Sequence, residues 1–203
     1  MPTPPPHSQT TSQLLDSLHD AGNQEVWSQF DARYRPIILG VVLRLGLKPE
    51  DASDVAQQVL LEFVRDYRMG KYHRSKGRLR SWIAGIARNR AIDVLNAERR
   101  AKIGRGESAI ITLPDEHGFE QAWSIEERRA VLAEAKRRLR EQHGHDEATI
   151  RAFEMVVERK LPAETAAAEC GLSIASVYQA KARISEKLRA IIQRVESEYA
   201  ESA

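Results

Sequence analysis

Only one cysteine, Cys170, occurs in the 203 residues. No intrachain disulfide can form, which excludes a disulfide-stapled secreted scaffold and makes a reducing cytoplasm the expected setting. Histidine is also sparse. His143 and His145 lie close together, but no neighbouring cysteine or carboxylate pattern completes a ligand set, so neither a metal nor another cofactor is expected. No apolar run approaches the roughly 20 residues that would span a bilayer. The Pro/Ser/Thr/Gln-rich start, Met1 to Thr11, has neither a basic opening nor an apolar stretch, so it does not read as a secretory signal. Residues 1–22 are expected to form a disordered tail. Charge of either sign is nearly balanced, with a net of +2. That sum excludes neither nucleic acid nor protein partners, because the distribution of charge decides between them. Strand-like alternation persists nowhere, and no internal repeat is visible.

What the chain does have is helical period. Apolar residues make up 42% and charged residues 30%, the balance of a globular protein. Trp27, Phe30, Tyr34, Ile37, Ile38, Val41 and Leu45 recur at three- and four-residue steps, with Pro36 expected to kink or restart the helix and Gly46 to stop it. A second stripe, Val55, Val59, Leu60, Phe63, Val64 and Tyr67, follows Asp51 and Asp54, whose charges suit the positive end of a helix. Between Arg65 and Arg80 there are seven Lys or Arg residues against one acid, Asp66. Ser81 is the expected cap of a third helix, with Trp82, Ile83, Ile86, Ala87, Val94 and Leu95 facing inward and a basic end at Arg99, Arg100 and Lys102. Residues 103–122 lose periodicity and hold Gly104, Gly106, Pro114 and Gly118, which reads as a linker. Periodicity returns at Ile125 to Leu139 and again from Glu147 to Val157. The fold class is therefore all-α: two small helical domains, at 23–102 and 123–203, joined by a linker.

The stretch "AETAAAECGLSIASVYQAKARI", Ala163 to Ile184, interrupts good helix formers with Gly171 and restarts at once. Ala166, Cys170, Leu172, Val177 and Ala180 fall where a helix-turn-helix needs small or apolar residues, and Ala167 falls where its two helices cross. Gly171 suits a turn that needs positive φ, and Ser173 can cap the second helix. Ser176, Tyr178, Gln179, Lys181 and Arg183 then point outward, a hydrogen-bonding and cationic surface of the kind a major groove accepts. An ordinary helical hairpin in a bundle is the competing reading of the same residues. Cys170 reads as a small hydrophobe rather than a nucleophile, because no histidine is placed by sequence to activate it.

The N-terminal half narrows the choice. "DASDVAQQVLLEFV", the basic loop, and "RLRSWIAGIARNRAIDVL" with its arginine-rich end resemble region 2 of bacterial sigma factors. "AFEMVVERKLPAETAAAECGLSIASVYQAKARISEKLR" resembles their region 4. With these two regions and a short linker, the chain resembles the extracytoplasmic-function group over Val26 to Arg194.

The resemblance implies a protein that is not itself an enzyme. It would bind core RNA polymerase, at the β′ clamp and the β flap, direct it to promoters and help melt the DNA. Asp51, Asp54, Gln57 and Gln58 match the docking face for the β′ clamp. Lys76, Arg78, Arg80, Asn89, Arg90, Arg99 and Arg100 match the surface for the minus-ten element, where cations serve the backbone and an amide can read an unstacked base. Trp82 reads as core rather than as a stacking platform. Ser173, Ser176, Tyr178, Gln179, Lys181 and Arg183 match the reader of the minus-thirty-five element. Relatives often carry a basic residue where this chain has Tyr178, and acids where it has Ser53 and Gln58. Ser53 is accordingly a candidate phosphosite, and an anti-sigma factor or a Ser/Thr kinase a candidate regulator. The alternative is a free-standing helix-turn-helix regulator binding an operator, which leaves the basic loop and "ARNRAID" without a purpose. A nuclease would need an inward cluster of acids, whereas the acids here fall on solvated helix faces.

Overall fold

A computed structural model describes residues 11–18, 23–73, 75, 77–106, 115–142 and 147–200. Among these residues there are eight helices and no strand: α1 (Thr11–Ser17), α2 (Gln24–Arg44), α3 (Pro49–Arg68), α4 (Leu79–Gly104), α5 (Glu116–Gln142), α6 (Glu147–Val157), α7 (Ala163–Cys170) and α8 (Ile174–Tyr199). The all-α expectation holds. Two compact units emerge, Met1–Ala130 with the last residues from Glu198, and Val131–Ser197.

The first unit is built on α2, α3 and α4. Their stripes of apolar residues meet in one core that includes Phe30, Ile37, Val41, Val55, Val59, Phe63, Ile83 and Ala87. The Phe30 and Phe63 rings stack at 4.7 Å, and Trp82 meets Phe63 edge-on at 5.3 Å. Tyr72 in turn stacks on Trp82 at 5.2 Å, so the loop after α3 is pinned to the start of α4 by an aromatic pair. Trp82 is thus a packing residue at the edge of the core. Pro36 does not divide its helix: α2 runs through it, with Pro36 itself on the exposed side. Gly46 ends the element as its sequence suggests. At φ +94° its N–H bonds back to the Leu43 carbonyl, and Leu47 returns to the core.

Three sequence expectations need correcting in this unit. α4 starts at Leu79 rather than after Ser81, with Arg78 at the cap position and no side-chain cap bond. The buried Leu79 draws the start of the helix upstream of the serine, which is exposed. The N-terminal tail is not tail throughout: α1 lies within it, and Leu14, Leu15 and Leu18 are buried in the core. These leucines sit at helical spacing, a signal masked by the polar composition around them. The linker reading fails from Glu116 onward. There α5 begins, capped by Asp115, whose carboxylate accepts the Gly118 N–H at 2.7 Å. Phe119, Ala122 and Trp123 bury themselves in the first unit's core. Residues 107–114 of the expected linker lie outside the described residues.

The second unit contains α6, α7 and the length of α8 to Ser197. Ala152, Met155, Ala163, Ala166, Ala167 and Val177 form one buried cluster in it, with Cys170 and Leu172 half-buried against that cluster. The Cys170 thiol faces the Met155 sulfur at 3.8 Å, in keeping with a packing role. Gly171 adopts φ +65° and ψ +31°, the left-handed conformation that only glycine enters without cost. The Leu172 N–H then reaches the Ala167 carbonyl, closing the turn. Ser173 caps α8: its hydroxyl accepts the Ser176 N–H at 3.0 Å.

Candidate nucleic-acid interface

Three surfaces carry the residues singled out by sequence. On α3, the buried stripe fixes the opposite face by helical geometry. Ser53, Asp54, Gln57 and Gln58 are exposed there, and Asp51 is half-buried in the first turn. Leu61 continues this face with 55% of its surface in solvent. Neither Asp51 nor Asp54 forms an ion pair among the described residues, so both negative charges remain available near the helix N-terminus.

The second surface lies along α4 and the loop before it. Arg78, Arg99 and Arg100 are exposed and make no ion pair among the described residues; Asn89 is exposed on the same helix. Lys76 lies outside the described residues. Two other expected contacts are already engaged within the protein. Arg90 bonds to Glu62 of α3, its Nη2 at 2.6 Å and its Nε at 2.8 Å from one carboxylate oxygen. Arg80 is held by α5. Its Nε donates to both oxygens of Glu127, at 2.9 and 3.2 Å, its Nη1 to Glu120 at 2.6 Å and its Nη2 to Ser124 at 3.2 Å. Burial disfavours the Arg80 charge, but these carboxylates outweigh it and raise the guanidinium pKa above its ordinary value. At the far end of α4, Lys102 pairs with Glu98 at 3.2 Å.

Sequence reasoning missed these internal acids. Glu120 and Glu127 lie seven residues apart on one face of a helix, but Glu120 falls in the expected linker and Glu127 in the helical stretch assigned to the second domain, so the shared face is hidden in the sequence. The same helix is anchored further along. Glu126, almost wholly buried, bonds to Arg44 of α2 at 2.7 Å and to Arg129 at 2.9 Å. Gly40 makes room for it: a Cβ there would stand 2.5 Å from the Glu126 Oε2. The buried Trp123 indole N–H finds no acceptor among the described residues, a debt of about 1–3 kcal/mol against this packing.

The third surface is the outward face of α8. Tyr178, Gln179, Lys181 and Arg183 are exposed, and Ile174 joins them at 44% exposure. Ser173 and Ser176 bond to each other at 2.8 Å and form the cap, so both are partly committed to helix initiation. Among the described residues no cluster of three or more His, Cys, Asp or Glu could hold a metal, and no helix is long and apolar enough to cross a membrane.

Comparison with known families falls on the first unit. Residues 30–101 match the family model for sigma-70 region 2. Over these residues the chain is similar to a sigma-70 region 2 domain. The match runs from Phe30 in α2 to Ala101 in α4, less than half of the chain, and contains the α3 face and most of the cationic surface. The second unit lies outside it. No curated protein matches the chain. Sigma-70 factors are transcription initiation factors rather than enzymes, and the region 2 domain supports a role in binding core RNA polymerase and recognising promoters.

Proposed function

We propose that the chain is a sigma factor of the extracytoplasmic-function group, acting in the cytoplasm, with its second unit serving as region 4. The observation that carries this reading is the order of parts: a region 2 match is followed by α7, a left-handed glycine turn and a Ser173-capped α8. Such a pair of helices fits a helix-turn-helix whose second helix presents Tyr178, Gln179, Lys181 and Arg183 to the major groove of the minus-thirty-five element. In the first unit, Asp51, Asp54, Gln57 and Gln58 face the polymerase β′ clamp. Arg78, Asn89, Arg99 and Arg100 face the minus-ten element, with the arginines on phosphates and the amide on an unstacked base.

Charge on the clamp-facing surface is thin, and Ser53 stands exposed between Asp51 and Asp54. Phosphorylation there would add roughly −1.5 to −2 charge close to a helix N-terminus, where it is favoured. Gel filtration of the chain with core polymerase tests the central reading, and co-elution is the expected result. Binding titrations extend it to the serine: Ser53→Glu binds core more tightly than wild type and loses that gain at high salt, while Ser53→Ala gains nothing. An operator-binding regulator would elute apart from the polymerase. Equal, tight binding by all three proteins would remove the phosphosite.

A further inference from the structure

Every donor group of Arg80 with a partner described above points at one face of α5. Glu120, Ser124 and Glu127 take its N–H groups, and the ring of Trp123 lies 5.9 Å from the guanidinium carbon. Positions 120, 123, 124 and 127 follow the three- and four-residue steps of a single helix face. An arginine fork grips a carboxylate with the same planar pair of N–H groups that it offers to a phosphate. The two glutamates therefore satisfy Arg80 in the way a DNA backbone would.

The segment that presents them is firmly seated. Phe119, Ala122 and Trp123 are buried in the first unit's core, Glu126 pairs with Arg44, and Gly40 supplies the space Glu126 needs. Yet the acids at the rim face water: half of the Glu120 side chain and a quarter of the Glu127 side chain are exposed. A competing polyanion can reach these bonds without the core opening first.

We infer that Glu116–Ala130 is an intramolecular clasp whose carboxylates Glu120 and Glu127 occupy the place of promoter phosphates on Arg80, so that DNA gains this contact only by displacing them. The inference rests on the proposed reading of the first unit's arginine surface as its promoter face. It assigns the free chain a built-in resistance to DNA that composition alone does not reveal.

The full chain is titrated by fluorescence anisotropy against a short duplex bearing a single-stranded A/T-rich extension, over a series of salt concentrations. Glu120→Gln/Glu127→Gln keeps the shape of both side chains and removes their charge. It is expected to bind about five- to tenfold more tightly near about 0.1 M salt, with the slope of log K against log salt steeper by about 0.9, the signature of one added phosphate contact. Adding Arg80→Ala cancels the gain, whereas Arg80→Ala alone leaves binding unchanged. A gain that survives Arg80→Ala is a general charge effect and overturns the clasp, as does no gain at all. Loss of affinity on Arg80→Ala alone also overturns it, because Arg80 would then touch DNA with the clasp closed. The variant Arg99→Ala/Arg100→Ala separates the two levels. If it weakens binding while the clasp predictions fail, only the clasp is lost. If it too changes nothing, the promoter-face reading fails, and the clasp with it.

Discussion

Tyr178 leaves 55% of its surface in solvent, and Ile174, one turn earlier on the same outward face of α8, leaves 44%. Under the proposed function α8 reads the major groove, and a large exposed ring near its start then suits apolar contact with a thymine methyl group. Replacing thymine by deoxyuridine in the distal element of a promoter used by the holoenzyme removes that methyl alone. The expected loss of recruitment is close to fourfold, from about 0.8 kcal/mol for one buried methyl. Tyr178→Ala holoenzyme, already lacking the contact, shows no further loss. If wild type is indifferent to the exchange, the ring lies elsewhere on the DNA. Residue by residue, the exposed positions were legible because helical period assigns each side chain to a face. Partners were not. Nothing in the local sequence announces that Arg80 meets Glu120 and Glu127, or that Arg90 meets Glu62, since these pairs join helices distant along the chain.

Elements were legible where punctuation and period agreed. The expected span Glu147 to Val157 is that of α6, and the Gly171 turn and Ser173 cap fall at the residues whose chemistry calls for them. They were misread where composition drowned out a short apolar pattern, as in α1, or where glycine and proline suggested a linker, as at the start of α5. One element-level consequence concerns Glu134, on the α5 segment that belongs to the second unit. Burial pushes its carboxyl upward, but the bidentate Arg137 and the Arg138 bond at 2.7 Å prevail and hold its pKa below the ordinary 4.5. A carboxylate with a depressed folded-state pKa stabilises the protein fully above its unfolded-state value, and the benefit disappears as pH falls through the folded one. Chemical denaturation followed by circular dichroism therefore shows wild type losing stability below about pH 4.5, and Glu134→Gln losing less over that range. At neutral pH the variant is less stable by about 0.5–1 kcal/mol, since partly solvated i,i+3 and i,i+4 pairs are worth about 0.3–0.5 kcal/mol each. Parallel acid curves for the two proteins would show that Glu134 does not contribute in this way.

For the molecule as a whole, two helical units carry three surfaces: an acidic and polar face on α3, a cationic one along α4, and a mixed one on α8. The region 2 match spans the first two, and under the proposed function the third gives the chain a second, separate means of reading DNA. Run-off transcription by core polymerase on a library of promoter fragments tests this account most directly. Adding the chain should yield defined transcripts that core alone does not make, from promoters sharing two elements at a fixed spacing, with Asn89→Ala impairing initiation and Arg183→Ala impairing recruitment. No added transcript from any promoter, or initiation that survives deletion of Val131–Ser197 undiminished, would contradict it.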